Sequence, residues 1–397
     1  MDGNTPRSPH PLPPRLDALT PLRFVAAALI VIGHAAPLFG WVPGAPFLFA
    51  ANAGVSLFFV LSGYVLGYNY PALDDRAAVG RFLALRFARI WPLHAAVLLA
   101  TILLFPTSRI LHVGIDPWLA ALASFALLQS WIPIAGYSGA YNGPAWTLSV
   151  DVFFYAAFPL LLAPVRLAPW RSLALAFAVS LAPPLLANAI GGPRADLPLD
   201  QVNWYTLDHF FPPARLVEFV LGMVAARAYS ACRPRLPAGI VAATALEAAA
   251  LALTAISLAG LPKVPRAAIA VGPGVADWLA QIAAAPAFAL LFIALSPGRG
   301  AVSRILSTRG AVHLGDLSYA TYLVHAPLAS TPVWLPLVAA IGAIPAALAF
   351  AAALLALAHL ARRGVELPAR RAIVGAYDRR ARRAAGDPRV APSDSTS

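Results

Sequence analysis

Residues 19–39 read LTPLRFVAAALIVIGHAAPLF, a stretch long and apolar enough to cross a bilayer. Further apolar segments follow at about 52–70, 90–106, 117–132, 144–164, 171–190, 211–229, 238–258, 276–296, 314–332 and 336–361. No soluble domain tolerates this succession. With 60% hydrophobic residues, 12% charged residues and a mean hydropathy of +0.72, the chain reads as an all-α polytopic membrane protein.

Arginine placement then orients the spans. The net charge of +12 rests almost wholly on arginine, with Lys263 the lone lysine. In a membrane protein such an excess marks cytosolic segments facing anionic lipid rather than a nucleic-acid site. Arg76, Arg81, Arg86 and Arg89 follow the second segment, and later arginines punctuate alternate gaps. Both termini are therefore expected in the cytosol, which demands an even number of crossings. The odd segment is 117–132, about 16 residues against the roughly 20 a bilayer core needs. About ten transmembrane helices plus one short interfacial or re-entrant helix are expected. Residues 1–16, rich in proline, read as a disordered cytosolic leader, 17–362 as the membrane domain, and 363–397 as a loose, polar, arginine-rich cytosolic tail. No appended soluble domain is expected. The single Cys232 excludes an intrachain disulfide.

Arg23 and His34 stand out because lipid tolerates few such groups. Eleven positions apart, they differ by about 20° of rotation and roughly 16 Å of rise, so they share one stripe of one helix. Ala26, Ala27 and Ile30 lie between them, leaving room for a slender molecule. Elsewhere, GVSLFFVLSGYVLG at 54–67 has the small residues of close helix packing. Asp151 and Tyr155 sit one turn apart near the start of a span, where a carboxylate could orient a histidine base or pair with an arginine. Arg215 and Glu218 fall three apart and could pair with each other. Ser318, Tyr322 and His325 form a polar stripe, whereas Glu247 stands alone without a role. No nucleotide loop, paired-cysteine site or HExxH motif occurs, so neither nucleotide hydrolysis nor a metal centre is expected.

Several ordered blocks together resemble the integral-membrane acyltransferase 3 family, bacterial O-acetylases of sugars and related acceptors. They are Arg23 and His34 with ten residues between, GVSLFFVLSGYVL at 54–66, RFARIWPLH at 86–94, AWTLSVDVFFY at 145–155, RLVEFVLG at 215–222 and LGDLSYATYLVHAPL at 315–328. The resemblance implies that acyl transfer depends on His34 together with Arg23, and that Arg86 and Arg89 engage acyl-CoA from the cytosol. Relatives commonly carry aspartate where this chain has Ser56 and glutamate where it has Asp151. Many also carry a periplasmic esterase-like domain, which is not expected here.

The expected reaction is transfer of an acyl group, acetyl before longer chains, from acyl-CoA to a hydroxyl. His34 serves as general base and Asp151 as its partner. Arg23, Arg86 and Arg89 hold the donor, and Trp146, Ser318, Tyr322 and His325 hold the acceptor or orient the base. The acceptor is a carbohydrate of the cell envelope or a glycosylated small molecule such as a macrolide. Membrane lipid surrounds the protein, which would sit in the bacterial inner membrane. The reading from another class is a transporter or flippase of a lipid-linked sugar that uses the same polar groups as a substrate or proton path. No internal repeat supports that alternative.

Overall fold

A computed structural model describes residues 15–42, 44–106, 111, 114–190, 200–202 and 205–384. Most of the expected leader, 1–14, lies outside the described residues, as does 385–397 of the expected tail. Among the described residues no strand forms, only an isolated bridge between Ile134 and Val202. The protein is an all-α polytopic membrane protein. Eight helical stretches among the described residues are long and apolar enough to cross a membrane.

The longer helices in chain order are α1 Thr20–Ala35, α2 Ala45–Asn69, α3 Arg76–Leu104, α4 Pro117–Phe125, α5 Trp146–Leu167 and α6 Pro169–Ile190. After them come α7 Leu216–Cys232, α8 Ile240–Gly260, α9 Pro273–Ile282, α10 Ala285–Leu295 and the short α11 Ala301–Leu306. The last are α12 Arg309–Ala329, α13 Trp334–Ile341, α14 Ala343–Ala361 and α15 Leu367–Ala384. The pair α12 and α13 bends by 81° and makes a ninth apolar unit. α7 has 17 helical residues because Pro212 and Pro213 wind its entrance into a 3-10 turn, Pro212–Arg215. α4 spans 9 residues, a rise of about 14 Å, too short to cross alone.

Two sequence expectations change. The arginines at 76–89 do not lie on a loop: Asp75 caps the backbone N–H of Ala78 at 2.6 Å, and one helix continues through them to Leu104. They therefore project along a membrane helix. Nor is the region after Arg362 loose up to residue 384, because a π-helical turn at Arg362–Glu366 passes into α15. α15 returns along α3, with Arg81 bonded to Asp378 at 3.2 Å.

Glycines set the closest helix crossings. A Cβ on Gly63 would lie 1.9 Å from the Phe219 carbonyl oxygen, and one on Gly222 would lie 2.0 Å from that of Val60. Hence α2 and α7 touch backbone to backbone, as the small residues of 54–67 imply. Gly315 does the same for α12, where a Cβ would come within 2.3 Å of the Thr20 carbonyl oxygen. This contact lays α12 against α1, and both run the same way, since Gly315 meets the start of α1 and His325 meets its end.

Buried polar groups are largely explained by neighbours. Arg215 grips Glu218 at 2.7 Å, bonds Gln281 and covers the Phe59 ring at 5.3 Å, so this fully buried pair is a strut between helices. Glu247, without a role in the sequence, accepts from the N–H groups of Gly300, Val302 and Ser303 at 3.1, 3.0 and 3.2 Å. A carboxylate at these free donors caps α11 and suits its helix dipole.

Candidate active site

Of the stripe on α1 only Arg23 reaches a cleft, which lies between α1, α2, α3, α5 and α12, while Ala26, Ala27 and Ile30 are buried in helix packing instead of leaving room along the stripe. The cleft has a cavity volume of about 100 Å³ and is walled by Arg23, Arg86, Arg89, Asp151, Ser318 and Tyr322, among others. Three arginines from α1 and α3 thus face one carboxylate from α5. Asp151 lies beside Ser62 in the cleft wall and within electrostatic reach of Arg23, Arg86 and Arg89. The Arg86 guanidinium stands over the rings of Tyr70, Phe82 and Tyr155 at 5.7, 5.8 and 6.0 Å and donates to the Tyr70 hydroxyl at 3.2 Å. Aromatic faces hold an arginine in place without neutralising it.

His34 is not part of this wall. Its ring stacks on His325 of α12 with centroids 5.3 Å apart, and His34 Nδ1 meets His325 Nε2 at 3.0 Å. His325 Nδ1 in turn lies 2.6 Å from the Tyr322 carbonyl oxygen. A carbonyl only accepts, so that nitrogen carries the proton and the neutral His325 ring has a bare Nε2. His34 must then donate from Nδ1, which leaves the lone pair of its own Nε2 unused. The arrangement is that of a base oriented by an acceptor behind it. His325 is fully buried, whereas the His34 side is exposed at the bundle surface.

The segment before α5 fixes α12 next to this pair. Pro327 has no N–H, so the Leu323 carbonyl loses its helical donor. The Asn142 side chain supplies one at 2.9 Å. Tyr322, one turn before His325, donates to the Pro144 carbonyl oxygen at 3.0 Å and receives Thr147 at 3.2 Å. Its ring therefore stands at the inner end of the cleft, between the arginines and the histidine pair.

Compared with the sequence reading, Arg23, Arg86, Arg89, Asp151, Ser318 and Tyr322 share one cleft. Two expected placements are corrected, those of Asp151 and Trp146. Asp151 is turned to the arginines, the other role its position left open, and the partner of His34 is His325, one of the residues expected to orient the base. Trp146 points away from the cleft, because on α5 it lies opposite the face bearing Thr147, Leu148 and Asp151. It packs instead among Phe59, His209 and Phe210, with centroids 5.1–6.0 Å away. Ser56 is fully buried outside the cleft wall. Ser62, Thr147 and Tyr319 line the cleft without having been singled out. Ser62 was hidden in a run whose glycines explain it as packing, and Tyr319 showed no signal beyond standing beside Ser318. Among the described residues no group of three metal-binding side chains forms.

A multi-pass helical bundle with a basic cleft beneath a paired imidazole defines a membrane protein equipped for group transfer. Residues 16–362 match the family described as acyltransferase domain, and the chain belongs to this acyltransferase 3 family. The chain is 32% identical over 332 residues to "Acyltransferase MdmB" of Streptomyces mycarofaciens, covering 79% of this chain and 80% of that protein. It is also 35% identical over 164 residues to "Protein 2 in picA locus" of Rhizobium radiobacter, covering 37% of this chain and 82% of that protein. No solved structure matches. It is thus an acyltransferase of the membrane.

Proposed function

We propose that the protein transfers an acyl group, acetyl first, from a coenzyme A thioester to a hydroxyl of a carbohydrate or glycosylated small molecule. The donor enters from the cytosolic side of the bacterial inner membrane, where both termini lie. Arg23, Arg86 and Arg89 bind its anionic end, and its slender arm runs past Ser318 and Tyr322 toward His34. Asp151 offsets part of the repulsion among the three arginines.

His34 Nε2 takes the acceptor O–H proton as the oxygen attacks the thioester carbonyl. The C–S bond then breaks, the new ester leaves with the acyl group, and the sulfur takes the proton back from the imidazolium. His325 accepts from His34 Nδ1 throughout and strengthens that bond when His34 is charged. The observation that carries this reading is the bond of His34 to His325 with the latter anchored on the Tyr322 carbonyl, which frees one nitrogen as a base.

The experiment is transfer of labelled acetyl from acetyl-CoA in membranes containing the full chain. His34→Ala should abolish most transfer while coenzyme A still binds, and Arg86→Gln with Arg89→Gln should weaken binding first. Undiminished transfer by His34→Ala would overturn the proposal.

A further inference from the structure

α15 begins beyond the residues that match the family, and nothing in the proposed reaction uses it. It nevertheless packs along α3, the helix that carries Arg86 and Arg89 of the cleft wall. Its far half is strapped to the start of α3, with Tyr377 against Ala77 and Gly80 and Asp378 bonded to Arg81 at 3.2 Å. At Gly80 a Cβ would meet the Tyr377 hydroxyl at 2.7 Å, so glycine there admits the ring.

From this strap the two helices run antiparallel. Arg370 precedes Tyr377 by seven residues, which keeps it on the same face and about 10 Å back along α15. Arg86 follows Gly80 by six residues, about 9 Å along α3. The two arginines therefore come level, and Arg370 lies within electrostatic reach of Arg86, Arg89 and Tyr70.

The charges do not balance. Arg362 is taken by Asp316 at 2.9 Å, which among the described residues leaves Arg23, Arg86, Arg89 and Arg370 facing Asp151 and Glu366. The Nε of Arg86 is buried without a hydrogen-bond partner. Like charges gathered at one rim repel unless an anion joins them. A single monoanion would not use so many guanidinium groups, but the linked phosphates of a nucleotide would.

We propose that α15 is the outer jaw of a diphosphate subsite, in which Arg370 binds the phosphates of the donor opposite Arg86 and Arg89. This rests on the reading of a coenzyme A thioester as donor. Arg370 is a binding residue in this scheme and takes no part in proton transfer.

The test measures dissociation constants of purified full-length protein for two probes, coenzyme A and inorganic pyrophosphate, across a range of salt concentrations. Arg370→Gln should weaken both by about tenfold or more, the loss of one charge-assisted hydrogen bond, and flatten the salt dependence. Arg370→Lys should recover part of the affinity. Coenzyme A binding that is unchanged in Arg370→Gln, or weakened with the wild-type salt slope, overturns the subsite and leaves the donor reading standing. Arg370-dependent binding of pyrophosphate without binding of coenzyme A keeps the subsite and removes the donor reading. Binding of neither probe by the wild-type protein overturns both.

Discussion

Replacing His325 tests whether the two imidazoles act as one device. His325→Ala deletes the acceptor that His34 Nδ1 meets at 3.0 Å, and the His34 ring is then free to carry its proton on either nitrogen. A hydrogen bond to a charged group contributes about 1.5–3 kcal/mol, against about 0.5–1.5 for a neutral one. The bond therefore strengthens by roughly 1–1.5 kcal/mol as His34 becomes imidazolium, which is about tenfold in rate. Loss of the correct tautomer adds to this. The upper limit is the whole general-base contribution, roughly 10²–10⁴-fold, which His34→Ala removes. The assay is transfer of labelled acetyl from acetyl-CoA by membranes of each variant at matched protein content. His325→Ala should fall between those bounds, and the double variant should be no slower than His34→Ala. His325→Gln, whose carboxamide oxygen can accept, should regain most of the loss. If the two single losses multiplied in the double variant, the residues would act independently and the relay would be refuted.

Three further outcomes concern the frame. Gly63→Ala, which sets a methyl 1.9 Å from the Phe219 carbonyl oxygen, should prevent α2 and α7 from closing and abolish accumulation of folded protein, seen as loss of the monodisperse peak in detergent. Glu218→Gln leaves Arg215 charged and fully buried, so it should destabilise the bundle by about 3–5 kcal/mol, read as a large drop in melting temperature. Glu247→Gln weakens the cap on α11 and should cost only about 0.5–2 kcal/mol, lowering the melting temperature while acetyl transfer at low temperature stays near wild type.

Much of the fold was legible because lipid imposes a simple code: each long apolar run became helical, although 276–296 and 336–361 are each broken into two helices. What hydropathy could not read was continuity. It separates Arg89 from the apolar residues that follow, yet backbone hydrogen bonding ignores that boundary and carries one helix across it. The amphipathic run 367–384 likewise looked like tail because its apolar face, with Tyr377, has a partner only in the folded chain. For the cleft, helical spacing sufficed on each helix alone, as with Ser318 and Tyr322. The mutual placement of helices was beyond it, so the choice between a histidine and an arginine as the neighbour of Asp151 could not be read. Trp146 was misread because its neighbours Thr147 and Leu148, not Trp146 itself, turn toward the cleft.

The contact between His34 and His325 joins positions 291 apart in the chain. At about 5–20 residues per second, a ribosome needs roughly 15–60 s after delivering the first imidazole to deliver the second. Through that interval a nascent chain already threaded into the bilayer holds one imidazole without its partner, and the pair is complete only when a late helix docks beside the first one.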